Sequence, residues 1–408
     1  MSMEINAAAP ARVPHGAALY LAVIQFAFVT CWTVYVIFLP GLLETAGLPQ
    51  RIAIYILMLD QLIFMIMDVV MGMAADRAGR VLGRIGPLIL GATAFSCVAF
   101  LLIPHAVRWG AYAPAGAVAL LLVWAVTSSA LRAPPWVLLS KYAAAPGVPW
   151  MNALLLTGLA IGGAIAPYLG VVLRNVDPRL PFAACSIALL ATTAGLIGVE
   201  RLLARGPGPP ARPAPAPALL VAGTRPFLVG CLLLALGFQV HFSLNSASQY
   251  LQFSRPQGLE YLMPVFWIGF NLAMFPGAAL AKRHGTLPVI AGAALIGAAA
   301  VLESVLAPSL DVLLGAQLLA GGAWGCMLMA SLAAALEFGR TGREGLALGL
   351  LFAVLALATL ARMAAVAGQI NRLPDLVPAL NLAPFVLWCA GAAVFVALAR
   401  AAQGAVRR

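Results

Sequence analysis

The chain has 408 residues, of which 63% are hydrophobic and only 9% charged. A soluble domain carries about 25% charged residues, so this composition cannot cover a water-facing surface and excludes a soluble globular protein. The net charge of +11 does not mark a nucleic-acid partner, because the basic residues lie scattered in short loops between apolar runs rather than in one patch.

Each bilayer crossing needs about 20 apolar residues, and twelve runs of that kind fit the chain: 16–40, 52–75, 85–104, 114–139, 150–172, 180–203, 225–250, 261–281, 286–306, 312–336, 345–369 and 378–400. The expected fold is an all-α integral membrane protein of two six-helix bundles, 16–203 and 225–402, with short tails at 1–15 and 403–408. With the N-terminus inside, most Lys and Arg residues fall on the inner side, among them Arg77, Arg80, Arg84, Arg201, Lys282, Arg283, Arg340 and Arg343. Arg51, Arg108, Arg174, Arg179, Arg255 and Arg372 fall on the other. This bias follows the positive-inside rule and puts both termini in the cytoplasm of a bacterial-type inner (plasma) membrane.

The first apolar run is too long for a signal peptide. It also carries Gln25, Thr30, Trp32 and Tyr35, so it reads as a retained first helix. The second run carries Asp60 and Asp68, eight residues apart and so close to one helical face. Ionisable groups at membrane depth are costly and face a partner or a solute path. A carboxylate held away from water can load and release a proton, and the competing reading is a polar lock between helices.

The second helix is expected to end near Ala75 and to meet a loop within the stretch DVVMGMAADRAGRVLGRIGP, Asp68 to Pro87. Gly72, Asp76, Arg77, Gly79 and Arg80 resemble the loop signature of the major facilitator superfamily, found between its second and third helices. Asp68, Gly83, Arg84 and Pro87 extend the likeness toward the sugar–cation symporters that include melibiose permease. The resemblance implies two six-helix halves rocking about a central site, with Gly72, Asp76, Arg77, Gly79, Arg80 and Arg84 forming a cytoplasmic gate loop. It also implies a coupling role for Asp68. The second cation-binding Asp of that group falls at Phe64, which offers no oxygen. Hard cations need several oxygens, so a proton is the expected coupling ion.

The fourth run contains SALRAPPWVLL, which resembles a segment of that group except that Arg132 stands where the family has an Asp. Pro134-Pro135 should break this helix. Arg132 has two readings: it neutralises Asp68 or Asp60, or it meets an anionic substrate, since a guanidinium matches a carboxylate in bidentate fashion. In the fifth run Gly158, Gly162, Gly163 and Gly170 favour close helix packing. Residues 204–224 hold the Pro-rich string ARGPGPPARPAPAPA and read as an extended linker.

The seventh run, GFQVHFSLNSASQYL, is unusually polar. Counting by 3.6 residues places Gln239, Ser243 and Ser246 on one stripe and His241, Asn245 and Ser248 on another. With Gln25, Trp267 and Asn271, the residues Gln239, His241 and Asn245 are expected to contact a solute. Arg343-Glu344-Gly345 resembles the start of the family's eleventh helix, whose Lys has no match here. Arg362 lies deeper in that run and reads as structural or interfacial. All six cysteines fall inside apolar runs without ligand spacing.

No Gly-rich phosphate loop, metal-ligand cluster or nucleophile–base pair appears, so neither a cofactor nor an enzyme is expected. The expected function is a monomeric secondary transporter moving a small organic solute, with H⁺, by alternating access through the lipid bilayer. The coupling set is Asp68, Asp60 and Arg132, and Arg132 also counts among the solute contacts. A sugar–cation symporter, a drug or metabolite efflux antiporter and a non-transporting binding protein are the alternatives.

Overall fold

The computed structural model describes residues 15–81, 85–142, 147–204, 223–339 and 342–406. Almost all of the expected linker lies outside the described residues, as do Gly83, Arg84, Arg340 and the tail ahead of His15. Among the described residues the chain is helical, joined by short turns, and contains no strand.

Twelve segments are long and apolar enough to cross a membrane: α1 His15–Thr45, α2 Gln50–Gly79, α3 Gly86–Ala106, α4 Gly110–Lys141, α5 Val148–Val172, α6 Arg179–Ala204, α7 Thr224–Tyr250, α8 Pro256–His284, α9 Thr286–Leu306, α10 Leu310–Phe338, α11 Glu344–Ala367 and α12 Pro374–Gly404. They coincide with the twelve expected runs. The α-helix of α2 differs: it continues to Val81, so Asp76 and Arg77 sit in its last turns rather than in a loop. The apolar run stops at Ala75 but the helix does not. Ala, Arg and Met sustain it, and the Asp76 carboxylate finds a partner on another helix.

Lipid tails are as apolar as leucine, so helices here associate by close packing at small residues. The chain uses glycine at each main crossing. A side chain at Gly158 on α5 would collide with the backbone of Ala22 on α1, and one at Gly321 on α10 with the carbonyl of Phe266 on α8. The two halves meet along α2–α11 and α5–α8. On the first seam, Gly72 and Gly345 face each other so closely that a Cβ on either would meet the other's carbonyl oxygen, and Gly349 lies over the Asp68 carbonyl. On the second, Gly163 makes room for the Trp267 indole and Trp150 meets Phe275 edge-on. The α2–α11 crossing lies at the basic end of the molecule, where Arg77, Lys282, Arg283 and Arg343 gather.

Two helices are interrupted. In α4 a 3-10 turn at Ser129–Leu131 ends at Arg132, whose backbone (φ −90°, ψ −83°) leaves the helix before it resumes at Pro134. In α7 a π-helical turn spans His241–Asn245.

The Gly72–Gly345 crossing makes a direct prediction. Gly345→Ala should overpack the seam and destabilise the protein by about 1–3 kcal/mol, read as a lower melting temperature in detergent. Gly198→Ala, in α6 with open space around it, is the control and should leave the melting temperature unchanged or raise it. Equal melting temperatures for both variants would contradict this crossing.

Candidate functional site

Helix α2 carries a ladder at four-residue spacing: Asp60, Phe64, Asp68, Gly72 and Asp76. All five are buried. Each rung has a different partner.

Asp68 is fully enclosed and meets Arg132, delivered by the break in α4. The Arg132 Nε donates to both carboxylate oxygens at 2.9 Å each. The guanidinium also lies 4.7 Å from the centroid of the Phe64 ring and 5.4 Å from that of Phe352 on α11. An aromatic face attracts a cation most when water is excluded, so Phe64 gives electrostatic support to the arginine where the resembling family places a second carboxylate. The break itself is held by Gln25, whose side-chain nitrogen donates to the Leu131 carbonyl at 2.7 Å. Gln25 therefore anchors the backbone turn that presents Arg132.

Asp60 accepts a 2.7 Å hydrogen bond from the Tyr35 hydroxyl, while its other oxygen is buried without a partner among the described residues. Around it lies an aromatic group in which Trp32 stacks on Trp124 and packs on Tyr35 and Phe64. The two α2 carboxylates are thus answered differently, one by a cation and one by a phenol.

Asp76 receives the N–H groups of Gly345 at 2.7 Å and Leu346 at 3.0 Å, which are free donors at the start of α11. A carboxylate in the last turn of α2 opposes that helix's own dipole, but it is favoured at the N-terminus of another. Gly345 has no side chain to block it. Arg77 is exposed and makes no ion pair among the described residues, and the Arg80 side chain lies outside them. Of the residues expected in the gate loop, Asp76 is the one held by the backbone of α11. Gly79 makes only ordinary contact with Ile85.

The polar residues of α7 divide in three directions. Gln239 donates to Thr359 on α11 at 2.9 Å and accepts from Ser243. His241 is buried with Nε2 3.1 Å from the Gln317 Oε1 on α10, and Gln317 in turn donates to Gln249 at 3.0 Å. Asn245 donates to the Leu380 carbonyl on α12 at 2.9 Å. Ser246 bonds back to the His241 carbonyl, five residues earlier. This is the π-helical turn at work: it shifts the register by one residue and moves Ser246 from the Gln239 stripe to the His241 side. A count at 3.6 residues per turn misses it. His241 and Asn245 are therefore packed inside the second half. Gln239 faces the α11 boundary.

On α8, Asn271 donates to the Trp267 carbonyl of its own helix at 3.0 Å, and Trp267 packs against Phe238, Phe242, Phe266 and Phe270. Arg362 has a buried Nε without a partner among the described residues.

Several partners lie outside the expected set, Thr359 of α11 among them. Phe352 and Gln317 complete the Arg132 and His241 groups. Tyr35 was visible as a polar aromatic, but not as the partner of Asp60. Glu200 on α6 accepts from the N–H groups of Ile85 at 2.7 Å and Gly86 at 2.9 Å, capping α3 as Asp76 caps α11. A lone amide in an apolar run could have marked Gln317. Nothing in sequence marks Glu200, because its partners are backbone groups.

A bundle of twelve helices long and apolar enough to cross a membrane, with a helix cap and an ion pair at the seam of its halves, is a polytopic membrane protein with the architecture of a secondary transporter. The chain belongs to the Major Facilitator Superfamily, which matches residues 21–361. No curated protein sequence matches it. Among solved structures it is similar to a bacterial homologue of the iron transporter ferroportin in an outward-facing state (13% identity, TM-score 0.72, covering 93% of this chain and 98% of that one). It is similar also to the E. coli fucose:proton symporter (16% identity, TM-score 0.68, 95% and 99%). A third is the human organic anion transporter MFSD10 (15% identity, TM-score 0.65, 94% and 98%). At these identities the likeness is one of fold.

Replacing Asp76 with Ala should leave the protein folded but loosen the α2–α11 end by about 1–3 kcal/mol, since hydrogen bonds to a charged group are among the stronger ones. A single cysteine at Ala347, in an otherwise cysteine-free background, should react with a water-soluble maleimide several-fold faster in the variant. An unchanged rate would remove the latch role.

Proposed function

We propose that the chain is a proton-coupled secondary transporter that moves a small organic solute by alternating access, with Asp68 as the proton site and Arg132 as its partner. The observation that carries this reading is the buried Asp68–Arg132 pair at the seam of the two halves. Removing two charges from water costs several kcal/mol each, and a purely structural lock could be built from apolar residues. A pair whose charges change with a proton or a solute gives that cost a use. Two proteins of similar fold, a fucose:proton symporter and an organic anion transporter, belong to this class of activity.

A sodium-type site is disfavoured, because both Asp68 oxygens are engaged by Arg132 and Phe64 supplies none. The loop pattern supports kinship with the melibiose-permease-like symporters, and the coupling site departs from theirs at Phe64 and Arg132. The closed α2–α11 end is assigned to the cytoplasm of a bacterial-type inner membrane, both termini included. Reporter fusions after Arg84, Arg212 and Arg343 should all give a cytoplasmic signal. A periplasmic signal from any of them breaks the topology.

The test of coupling is transport in proteoliposomes. Asp68→Asn keeps the size of the side chain and removes its titration. It should abolish solute accumulation driven by a pH gradient, together with solute-linked proton flux, yet preserve equilibrium exchange. Undiminished gradient-driven accumulation would transfer the role to Asp60.

A further inference from the structure

Arg132 spends only part of its hydrogen-bonding capacity on Asp68. Its Nε makes both bonds to the carboxylate, and neither Nη nitrogen makes a hydrogen bond among the described residues. A guanidinium has five N–H donors, four of them on the Nη atoms, and its fork matches the two oxygens of a carboxylate. The arginine side chain keeps 19% of its surface exposed while Asp68 keeps none. Of the two partners, only the arginine therefore keeps surface that a solute can meet.

The guanidinium is flanked by aromatic rings. Phe64 and Phe352 lie against the guanidinium, half-buried Trp32 packs on Phe64 at 5.5 Å, and Trp136 packs on Phe352 at 5.4 Å. The only charged or titratable group facing Asp68 among the described residues is Arg132. Helix α11 presents Gly349 and Phe352 there, and on α2 itself Asp60 stands two turns away against Tyr35.

Resting on the transporter reading above, we propose that the open edge of Arg132 is the receptor for the carboxylate of a flat aromatic organic anion, which travels with one proton carried by Asp68. In the empty site the Asp68 carboxylate balances the Arg132 cation. An anion arriving at the Nη edge leaves one excess negative charge in a water-poor region. A proton taken from the aqueous phase converts the Asp68 carboxylate to a carboxylic acid and restores neutrality, and the solute's carboxylate becomes the counter-ion of Arg132. The two bindings favour each other by the same factor. The loaded site then has the net charge of the empty one, so the cycle moves no net charge across the membrane.

The experiment uses the purified full chain and three probe pairs: benzoate, phenylacetate and indole-3-acetate, each with its uncharged amide. Calorimetric titration should show at least one carboxylate bound ten-fold or more tightly than its amide, and more tightly as pH falls. Asp68→Asn, which mimics the protonated site, should bind that carboxylate at least as well as the wild type at low pH, with the pH dependence gone. Arg132→Lys keeps the charge but not the fork and should bind it at least ten-fold more weakly. In proteoliposomes uptake should follow the pH gradient and ignore an imposed membrane potential. Equal binding of acid and amide, no binding of any of the three acids, pH dependence surviving in Asp68→Asn, or uptake driven by potential would each overturn the proposal. If fucose or another neutral solute is instead accumulated on a pH gradient and Asp68→Asn abolishes that, the proton-coupled transporter stands and the anion receptor falls.

Discussion

A carboxylate inside a bilayer-spanning helix must be answered by a partner, and α2 carries three at eight-residue intervals. The rest of the molecule can be read as the set of answers. Asp60 is met by a phenol from α1, Asp68 by a guanidinium from a break in α4, and Asp76 by the bare N-terminus of α11. Each answer ties α2 to a different helix, adding a polar constraint to the close packing at glycines. Apolar packing then fills the space, with Phe64 and Gly72 between the carboxylates as the surfaces on which Arg132 and α11 rest.

Where regular helix is given up, a polar group has been delivered or re-aimed. The 3-10 turn and kink of α4 set Arg132 against Asp68, and Gln25 satisfies the carbonyl at Leu131 exposed by the break. The π-helical turn of α7 sends His241 and Ser246 to Gln317 while Gln239 stays at α11. Irregular backbone at membrane depth is tolerated only where protein or a polar space satisfies it, and both interruptions meet that requirement within the protein.

Much of this was legible in the sequence. The twelve spans follow from the length of the apolar runs, and the α4 break follows from Pro134-Pro135. The Asp68–Arg132 pairing could be anticipated because two opposite charges at depth need one another. What was not legible has three physical sources. Register was lost at α7, because a single extra residue in a π turn rotates everything beyond it. Backbone partners were invisible, which hid the capping of α3 by Glu200 and the docking of Asp76 on Gly345 and Leu346. And a helix end judged by hydropathy came early at Ala75, since hydropathy reports where the lipid stops and not where the hydrogen-bond ladder does.

The Asp68–Arg132 pair and the Asp76 cap act on the same seam through the same rigid body. They stand eight residues apart on α2, two turns of continuous helix, and α11 touches both: Phe352 lies against the Arg132 guanidinium, Gly349 rests on the Asp68 carbonyl, and Gly345 holds the Asp76 carboxylate. Arg132 belongs to the first half and Phe352 to the second, so the ion pair is itself part of the contact between halves. Any change in the orientation of Arg132 alters its cation–π contact with Phe352, worth about 0.5–2 kcal/mol depending on desolvation. The Asp76 cap holds the other end of the seam with an energy of similar order. Two contacts of comparable strength on one pair of helices, one made through a buried ion pair and the other through a helix cap, give the seam two separate points at which it can be loosened.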